Sequence, residues 1–298
     1  MRLSLLFRKN STTDYKSKGR STTKEVIERL FRNKAAVVGL VLFILIVLVG
    51  IFAPLISPHD PYDMDFINML AGPSKEHPLG CDDLGRDILA RIIYGTRYSV
   101  GLALITITVS AIVGTILGAL AGYFGGWVDT LIMRTIEILQ SIPSLLLSVA
   151  ISILLGTGFI NTIIALSVTA SMANARIMRG SVMSILHQEY LEAAEALNCP
   201  KYKIILKHVL PNSFSPLIVR STQGMASAIM NASTLSFIGL GILPPTPEWG
   251  AMLSGARKFI RDYPHLVLFP GLAIVITVFS LSMLGDGLRD ALDPKMKD

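Results

Sequence analysis

Charged residues are scarce in this sequence. Only 16% of its 298 residues are Asp, Glu, Lys or Arg, whereas 51% are hydrophobic and the mean hydropathy is +0.56. An ordinary soluble domain carries about 25% charged residues. The composition therefore indicates a membrane protein. The net charge of +6 does not indicate a nucleic-acid-binding protein, because the positive residues cluster at one end of the chain and in loops.

The sequence also lacks the patterns of several enzyme and transporter classes. No Gly-Lys pair occurs, which excludes a P-loop for ATP, and neither H-E-x-x-H nor G-x-S-x-G is present. The five His residues are scattered, so no metal site is predicted. Residues 138–175, 221–247 and 266–285 contain no ionisable side chain, unlike the membrane interior of proton- or sodium-coupled transporters. We expect no enzyme activity and no cofactor in this chain, and any transport must draw energy from elsewhere.

The apolar segments predict an all-α, polytopic membrane protein with six transmembrane helices. The predicted helices cover 35–56, 98–123, 128–155 with a bend at Pro143, 159–173, 214–240 and 266–284. Most of the 27 Lys and Arg residues then lie on the side of the N-terminus. Both termini are therefore expected in the cytoplasm.

The remaining segments complete the predicted domain organisation. Residues 1–34 form a basic cytoplasmic segment, poorly ordered up to about Thr23 and then amphipathic, and residues 57–97 form an external loop. In that loop, Asp82 or Asp83 is expected to cap a helix that runs through Ile93. A five-helix core at 98–290 and a cytoplasmic tail at 291–298 follow.

The only two cysteines, Cys81 and Cys199, fall on opposite sides of the predicted membrane. A disulfide needs Cα atoms within about 7 Å, so the two cannot pair within one chain. An impermeant thiol reagent applied from outside is expected to label Cys81 and spare Cys199.

Two membrane helices carry patterned small or polar residues. The second helix has a small-residue stripe every four residues, which predicts close approach of another helix. The stripe consists of Thr106, Ser110, Gly114, Gly118 and Gly122. The fifth helix places amides and hydroxyls on one face, at Gln223, Ser227, Asn231 and Thr234. This face indicates either the lining of a translocation path or hydrogen bonding between helices.

The polar stretch 187–211 lies between two very hydrophobic regions and organises the chain. Its pattern predicts two short amphipathic helices separated by a turn at Asn198, with Pro211 ending the second helix. The expected apolar stripes are Tyr190, Ala193, Ala194 and Leu197 in the first helix, and Tyr202, Ile205, Leu206 and Val209 in the second. The stretch reads as a docking element; the alternative is a helical hairpin on the membrane surface without a partner.

Residues of this stretch resemble the EAA loop of ABC-transporter permeases, the coupling helix that docks on an ATPase. The resemblance assigns ATPase coupling to Glu189, Glu192, Ala193, Ala194, Asn198, Leu210 and Pro211. The family pattern has Gly at the position of Asn198, and Asn keeps the left-handed capability. HPLGCDDLGRDILARIIYGTRYSVG, PPTPEWGAML and GDGLRDALDP are similar to the dipeptide, oligopeptide and nickel permease branch. A type I ABC importer (MetI-like) permease fold is therefore implied.

The resemblance also implies a function. The chain would be the permease subunit of an importer of di- or oligopeptides in the bacterial plasma membrane. Its partners would be lipid, a homologous second permease, two ATPase subunits that bind ATP and Mg, and an external substrate-binding protein, with no nucleic acid. The alternatives are a nickel or glutathione importer, or a passive channel, which needs no coupling helix.

Overall fold

The computed structural model of the protein describes residues 22–186 and 188–292. This part of the chain contains helices and no β-strand. In chain order the α-helices are α1 (Thr22–Arg32), α2 (Lys34–Ile51), α3 (Ala53–Ile56), α4 (Ile88–Phe124), α5 (Gly126–Gln140), α6 (Ser144–Leu155), α7 (Phe159–Leu186), α8 (Glu189–Ala196), α9 (Lys201–Ile204), α10 (Leu210–Phe237), α11 (Trp249–Ala256) and α12 (His265–Leu292). The all-α prediction is confirmed.

Three of these helices, α2, α4 and α12, are long and apolar enough to cross a membrane on their own. Helices α5 and α6 meet the same standard as a pair. Helices α7 and α10 have 28 residues each, so they are about 42 Å long, and they are more polar. The six predicted spans correspond to α2, α4, the α5–α6 pair, α7, α10 and α12. The number of membrane crossings stays a prediction.

The third predicted span is broken rather than bent. Helices α5 and α6 meet at an angle of 90°, and Pro143 is the residue before α6. Proline has no N–H to donate to the preceding turn, and its ring clashes with the carbonyl four residues earlier. The sequence located the discontinuity correctly, but the prediction of one continuous helix over 128–155 is wrong.

Helix α4 merges two elements that the sequence analysis separated. The predicted external helix through Ile93 and the predicted span from Tyr98 form one helix of 37 residues. Its cap is Asp87, whose Oδ1 accepts a hydrogen bond from the Ala90 N–H at 2.6 Å. The prediction of Asp82 or Asp83 as the cap is wrong. Asp82 instead accepts hydrogen bonds from the N–H groups of Leu84 and Arg86, in the loop that leads to α4.

Helices α4 and α7 form the most extensive helix pair, and the predicted glycine stripe faces α7. A Cβ atom added at Gly114 would lie 2.4 Å from the Asn174 Cβ, and one at Gly118 would lie 2.3 Å from the Ala175 carbonyl oxygen. Asn174 also donates a buried hydrogen bond to Ser110 at 3.2 Å. The prediction of close helix approach is confirmed. Only a residue without a side chain fits at this distance.

Two predicted helices end earlier in the sequence than the observed helices do. Helix α7 continues beyond Ala173 to Leu186 because Met178 and Val182 stay buried against α4. Helix α12 continues beyond Leu284 to Leu292. The amphipathic segment before the first span is confirmed as α1, in which Ile27 and Phe31 are exposed. The expected disorder before Thr23 and most of the predicted 291–298 tail lie outside the described residues.

Candidate coupling loop and cavity

The predicted coupling loop folds as two short helical pieces around a left-handed turn. Helix α8 ends at Ala196, and Asn198 has φ of +52°. The N–H of Cys199 then donates a hydrogen bond to the Ala194 carbonyl at 3.1 Å. A non-glycine residue with positive φ is uncommon, and Asn tolerates it better than most. The predicted turn at Asn198 is therefore confirmed.

Pro211 does not end the second piece of the loop. After α9, residues Ile205–Val209 form a π-helical segment that leads directly into α10, with Pro211 in the first turn of α10. A π-helical turn widens the backbone ring, so that the missing N–H and the bulk of a proline fit within a continuing helix. The prediction that Pro211 ends the second helix is wrong.

One face of the loop is fixed to the transmembrane bundle. Leu191 of α8, Ile204 of α9 and Val209 of the π-helical segment are at most 2% exposed. They pack in one cluster with Ala119 of α4 and with Met178 and Val182 of α7. We call this the anchor cluster: Ala119, Met178, Val182, Leu191, Ile204 and Val209. Leu191, which the predicted apolar stripe of α8 does not include, holds this helix to the bundle.

The opposite face of the loop is apolar and exposed. Leu197 is 83% exposed, Tyr202 is 67% exposed and Leu206 is 63% exposed. Glu189, Glu192 and Ala193 are also exposed. We call this the docking face: Glu189, Glu192, Ala193, Leu197, Tyr202 and Leu206. Several large apolar side chains exposed on one short loop, together with charged ones, are typical of a surface that binds another protein.

A cavity of about 560 Å³ lies between α4, α5, α6, α7 and α10. Two of the four predicted path residues, Ser227 and Asn231, line it, and the other two do not. Gln223 instead donates to Asp286 of α12 at 3.4 Å, and the Thr234 hydroxyl donates to a backbone carbonyl of its own helix. The polar face of α10 therefore divides between a cavity and contacts made within or between helices.

The cavity also has a polar wall that the sequence analysis missed. The break between α5 and α6 supplies Gln140 and Ser141, and α7 supplies Thr169 and Asn174. Glu137, Arg176 and Arg220 add charges of both signs to the lining. The signal in the sequence was the break itself, since backbone that leaves a helix inside a membrane must line a cavity or be covered by protein.

The charged residues of α5 are paired. Arg179 of α7 donates two parallel hydrogen bonds to Asp129 of α5 through its Nε and one of its Nη atoms. Arg134 donates to Glu137 at 2.8 Å. A bidentate Arg–carboxylate pair fixes the orientation of both side chains. The Arg179–Asp129 pair joins α7 to α5, two of the helices that border the cavity.

The loops before α4 and α11 are held together by buried polar groups. The Arg91 guanidinium is 2% exposed and donates to the Pro61 and Pro245 carbonyls at 3.0 and 3.3 Å. Glu248, 1% exposed, accepts a hydrogen bond from the Ala251 N–H at 2.8 Å. Burial raises the pKa of the Glu248 carboxyl, and this effect outweighs the hydrogen bonds that lower it. These contacts join the loop before α4 to the loop before α11.

Cys81 is a buried residue of the loop before α4. Its side chain is 0% exposed, and burial, followed by nearby carboxylates, raises the pKa of its thiol to about 11. Cys81 and Cys199 are both free thiols. The expectation that an impermeant reagent labels Cys81 from outside is therefore wrong, because the sulfur is neither accessible nor ionised at neutral pH.

The family profile described as "Binding-protein-dependent transport system inner membrane component" matches residues 114–298. This chain belongs to that family. A second profile, "N-terminal TM domain of oligopeptide transport permease C", matches residues 21–73. The chain is thus a membrane transport permease with several apolar helices, and the resemblance found in the sequence is confirmed.

Relatives of this permease are similar along nearly their whole length. It is 44% identical to the dipeptide transport system permease protein DppC of Alkalihalophilus pseudofirmus, over 93% of this chain and 91% of that one. It is 42% identical to the di/tripeptide transport system permease protein DppC of Pseudomonas aeruginosa, over 93% and 94%. It is 40% identical to the glutathione transport system permease protein GsiD of Pectobacterium atrosepticum, over 93% of each chain.

Solved structures show the fold of the permease core. A chain of the MetNI methionine ABC transporter in an inward-facing conformation matches with a TM-score of 0.56 at 18% identity, covering 69% of this chain and 98% of that one. A chain of an amino acid ABC transporter matches with a TM-score of 0.51 at 14% identity, covering 66% and 92%. The predicted type I ABC importer permease fold is confirmed.

Proposed function

We propose that this permease is one membrane subunit of a peptide importer driven by separate ATPase subunits, with both termini in the cytoplasm. Two homologous permease chains, two ATPase chains that hold ATP and Mg, and an external substrate-binding protein would complete the transporter. The observation that carries the proposal is the loop of 188–211, which is anchored on one side and exposed on the other. A passive channel has no use for such a docking face.

The docking face has the chemistry of an ATPase contact. Its exposed apolar side chains, Leu197, Tyr202 and Leu206, supply the area that a partner would bury. Glu189 and Glu192 would pair with basic residues of the partner and orient it. Asn198 sets the angle between α8 and the following piece. Leu210 and Pro211 have a structural role and do not lie on the docking face. They form the start of α10, which the π-helical segment joins to the loop.

Movement of the docked ATPases would reach the cavity through α7. The anchor cluster holds the loop on Met178 and Val182 of this helix. The next turns of the same helix, around Asn174 and Thr169, line the cavity. Since a helix is stiff over two or three turns, a displaced loop would shift the cavity wall. Nucleotide-driven closure of the ATPases would thereby switch the pathway between its two openings.

The cavity suits a small zwitterionic cargo. Its volume falls within the range of about 300–1,000 Å³ that is usual for small-molecule sites, and its lining presents both carboxylate and guanidinium groups. A short peptide carries an ammonium group at one end and a carboxylate at the other. The relatives named for dipeptides and di/tripeptides support this class. Glutathione, itself built of three residues, is the second candidate because of the relative named for it.

Charge reversal on the docking face tests the proposal. Glu192→Lys should insert and fold normally but lose most of the co-purifying ATPase and of peptide uptake, because it places a cation against a basic partner surface. Asp63→Lys is the matched control, since it reverses one exposed carboxylate in the external loop. Normal ATPase recovery with Glu192→Lys would remove the docking role. Uptake by reconstituted permease without ATP would instead favour the channel.

A further inference from the structure

The external loop brings together two imidazoles and a carboxylate that are distant in the sequence. The Nδ1 atom of His77 lies 2.9 Å from Oδ2 of Asp87, and Nδ1 of His59 lies 3.7 Å from the same oxygen. One ligand-capable atom from each of the three residues lies within 4.8 Å of the other two. The two His rings stand face to face at a tilt of 34°, with centroids 4.9 Å apart.

One polar atom of this group makes no hydrogen bond. Nδ1 of His59 is buried and makes no hydrogen bond, although 32% of the His59 side chain is exposed. A buried ring nitrogen without a partner costs free energy, and most such atoms in folded proteins are satisfied by a protein group, a water or an ion. The His59 nitrogen points toward Asp87, so a ligand located between them would satisfy it.

The spacing of these atoms fits a small metal ion. A tetrahedral zinc ion, with bonds of about 2.0–2.1 Å, separates any two of its ligand atoms by roughly 3.4 Å. The distances of 2.9 and 3.7 Å to the Asp87 oxygen lie on either side of that value. The third distance, between the ligand atoms of the two His residues, is at most 4.8 Å, so the His59 side chain, 32% exposed, would move inward to complete the site.

The carboxylate is already fixed for such a role. Asp87 is 3% exposed, and its Oδ1 is engaged as the cap of α4 by the Ala90 N–H. Its Oδ2 is left facing both His rings. Metal-binding side chains are typically oriented by hydrogen bonds from outside the coordination shell, and the helix cap supplies that orientation here.

We propose that His59, His77 and Asp87 bind a zinc-type divalent transition-metal ion on the external side of the permease. Two imidazoles and one carboxylate favour zinc, cobalt or nickel over calcium and magnesium, which prefer oxygen ligands. Three protein ligands leave a fourth position for water. Because the site lies in the external loop and not in the cavity, the ion would fasten the loop to the start of α4 and would not be transported cargo.

Cobalt provides a direct test. The full-length permease is purified through a tag without histidine, stripped with a chelator and titrated with Co²⁺. One ion per chain should bind, with the absorption bands of tetrahedral cobalt, and Zn²⁺ should displace it whereas Mg²⁺ and Ca²⁺ should not. His59→Gln should weaken the binding by at least about 100-fold, since even outer-shell changes cost 10–100-fold. His208→Gln, in the cytoplasmic loop, is the control and should bind as the unaltered chain does.

A second variant gives a positive signal at the same position. His59→Cys offers a thiolate to the ion and should add a sulfur-to-cobalt charge-transfer band in the near ultraviolet. Zn²⁺ should also raise the thermal midpoint of the unaltered chain and not that of His59→Gln. Absence of Co²⁺ binding would overturn the proposal, and so would binding that is equal in all variants. None of these measurements involves transport, so they stand apart from the proposed function.

Discussion

At the scale of single residues, Asn198 shows how one backbone angle shapes the docking face. Its φ of +52° turns the chain between α8 and α9, and the side chain is exposed, so the constraint comes from the backbone alone. Only Gly adopts this conformation without cost, and Asn adopts it more easily than most other residues.

Substitutions at Asn198 should therefore rank by backbone preference. Asn198→Gly should keep ATPase binding and uptake, whereas Asn198→Val should destabilise the turn by about 1–2 kcal/mol and reduce both. Co-purification of the ATPase with each variant measures the effect. Equal recovery with Val and Gly would show that the turn does not set the geometry of the loop.

The reactivity of Cys81 depends on its burial and its raised thiol pKa, and not on which side of the membrane it lies. Its thiol pKa of about 11 lies two units above the ordinary value of 9.0, so near neutral pH the thiolate is rarer by roughly 100-fold. In detergent, Cys199 should react with a thiol reagent much faster than Cys81. Cys81 labelling should stay slow near neutral pH and increase up to about pH 11, because both burial and the scarcity of the thiolate slow the reaction.

A cysteine at an exposed position tests the predicted topology more directly than Cys81 does. Lys75→Cys, introduced together with Cys199→Ser, should be labelled on intact cells by an impermeant reagent once any outer membrane is permeabilised. Cys199 of the unaltered chain should react only after lysis. The reverse pattern would invert the proposed topology.

At the scale of helices, the α4–α7 contact depends on glycine. The backbones are so close that a Cβ at Gly118 would overlap the Ala175 carbonyl, and backbone cannot move aside as a side chain can. In the same helix, a Cβ at Gly101 would meet nothing within 4 Å. Both positions are glycines within α4, but only Gly118 is in contact with the backbone of α7.

The pair Gly118→Ala and Gly101→Ala isolates this contact. Gly118→Ala should destabilise the permease by about 1–3 kcal/mol through overpacking. Gly101→Ala should be neutral or stabilise by up to about 1 kcal/mol, because alanine favours the helix. Thermal unfolding in detergent compares them. Equal midpoints would mean that α7 shifts away without loss.

The sequence predicted the helices better than their ends and faces. Hydrophobic length identified the spans, and Pro143 marked the break, because both are local properties. The junction at 94–97 was missed because Arg97 looked like a boundary, although α4 simply extends beyond the membrane. The buried face of α8 was also missed. Leu191 rather than Tyr190 turns inward because α7 presents Met178 and Val182 there, and a partner in the fold cannot be read from local periodicity.

At the scale of the whole molecule, the cavity divides the polar face of α10. Asn231 lines it and Thr234 does not, although the two residues lie almost one helical turn apart. Their spacing in the sequence places both residues on one face of a helix. Only the packing of α5, α6 and α7 gives them different surroundings.

This division predicts different outcomes for matched substitutions. Asn231→Leu should reduce peptide uptake several-fold while assembly with the ATPase persists, because it replaces a polar cavity group with an apolar one. Thr234→Leu, at an exposed position outside the cavity, should leave uptake unchanged. Uptake assays in cells that lack the native permease compare the two. An equal loss of uptake in both variants would indicate that the polar face of α10 serves helix packing and not the translocation path.

Helix α4 is a single unbroken rod. Its 37 residues extend about 55 Å without a break, from the Asp87 cap among the external groups to Ala119 in the anchor cluster of the cytoplasmic loop. A rod of that length that tilts by about 5° moves one end by roughly 5 Å relative to the other. In the proposed importer, a binding protein that docks outside would thus displace the end of α4 beneath the membrane. No relay of side-chain rearrangements is required.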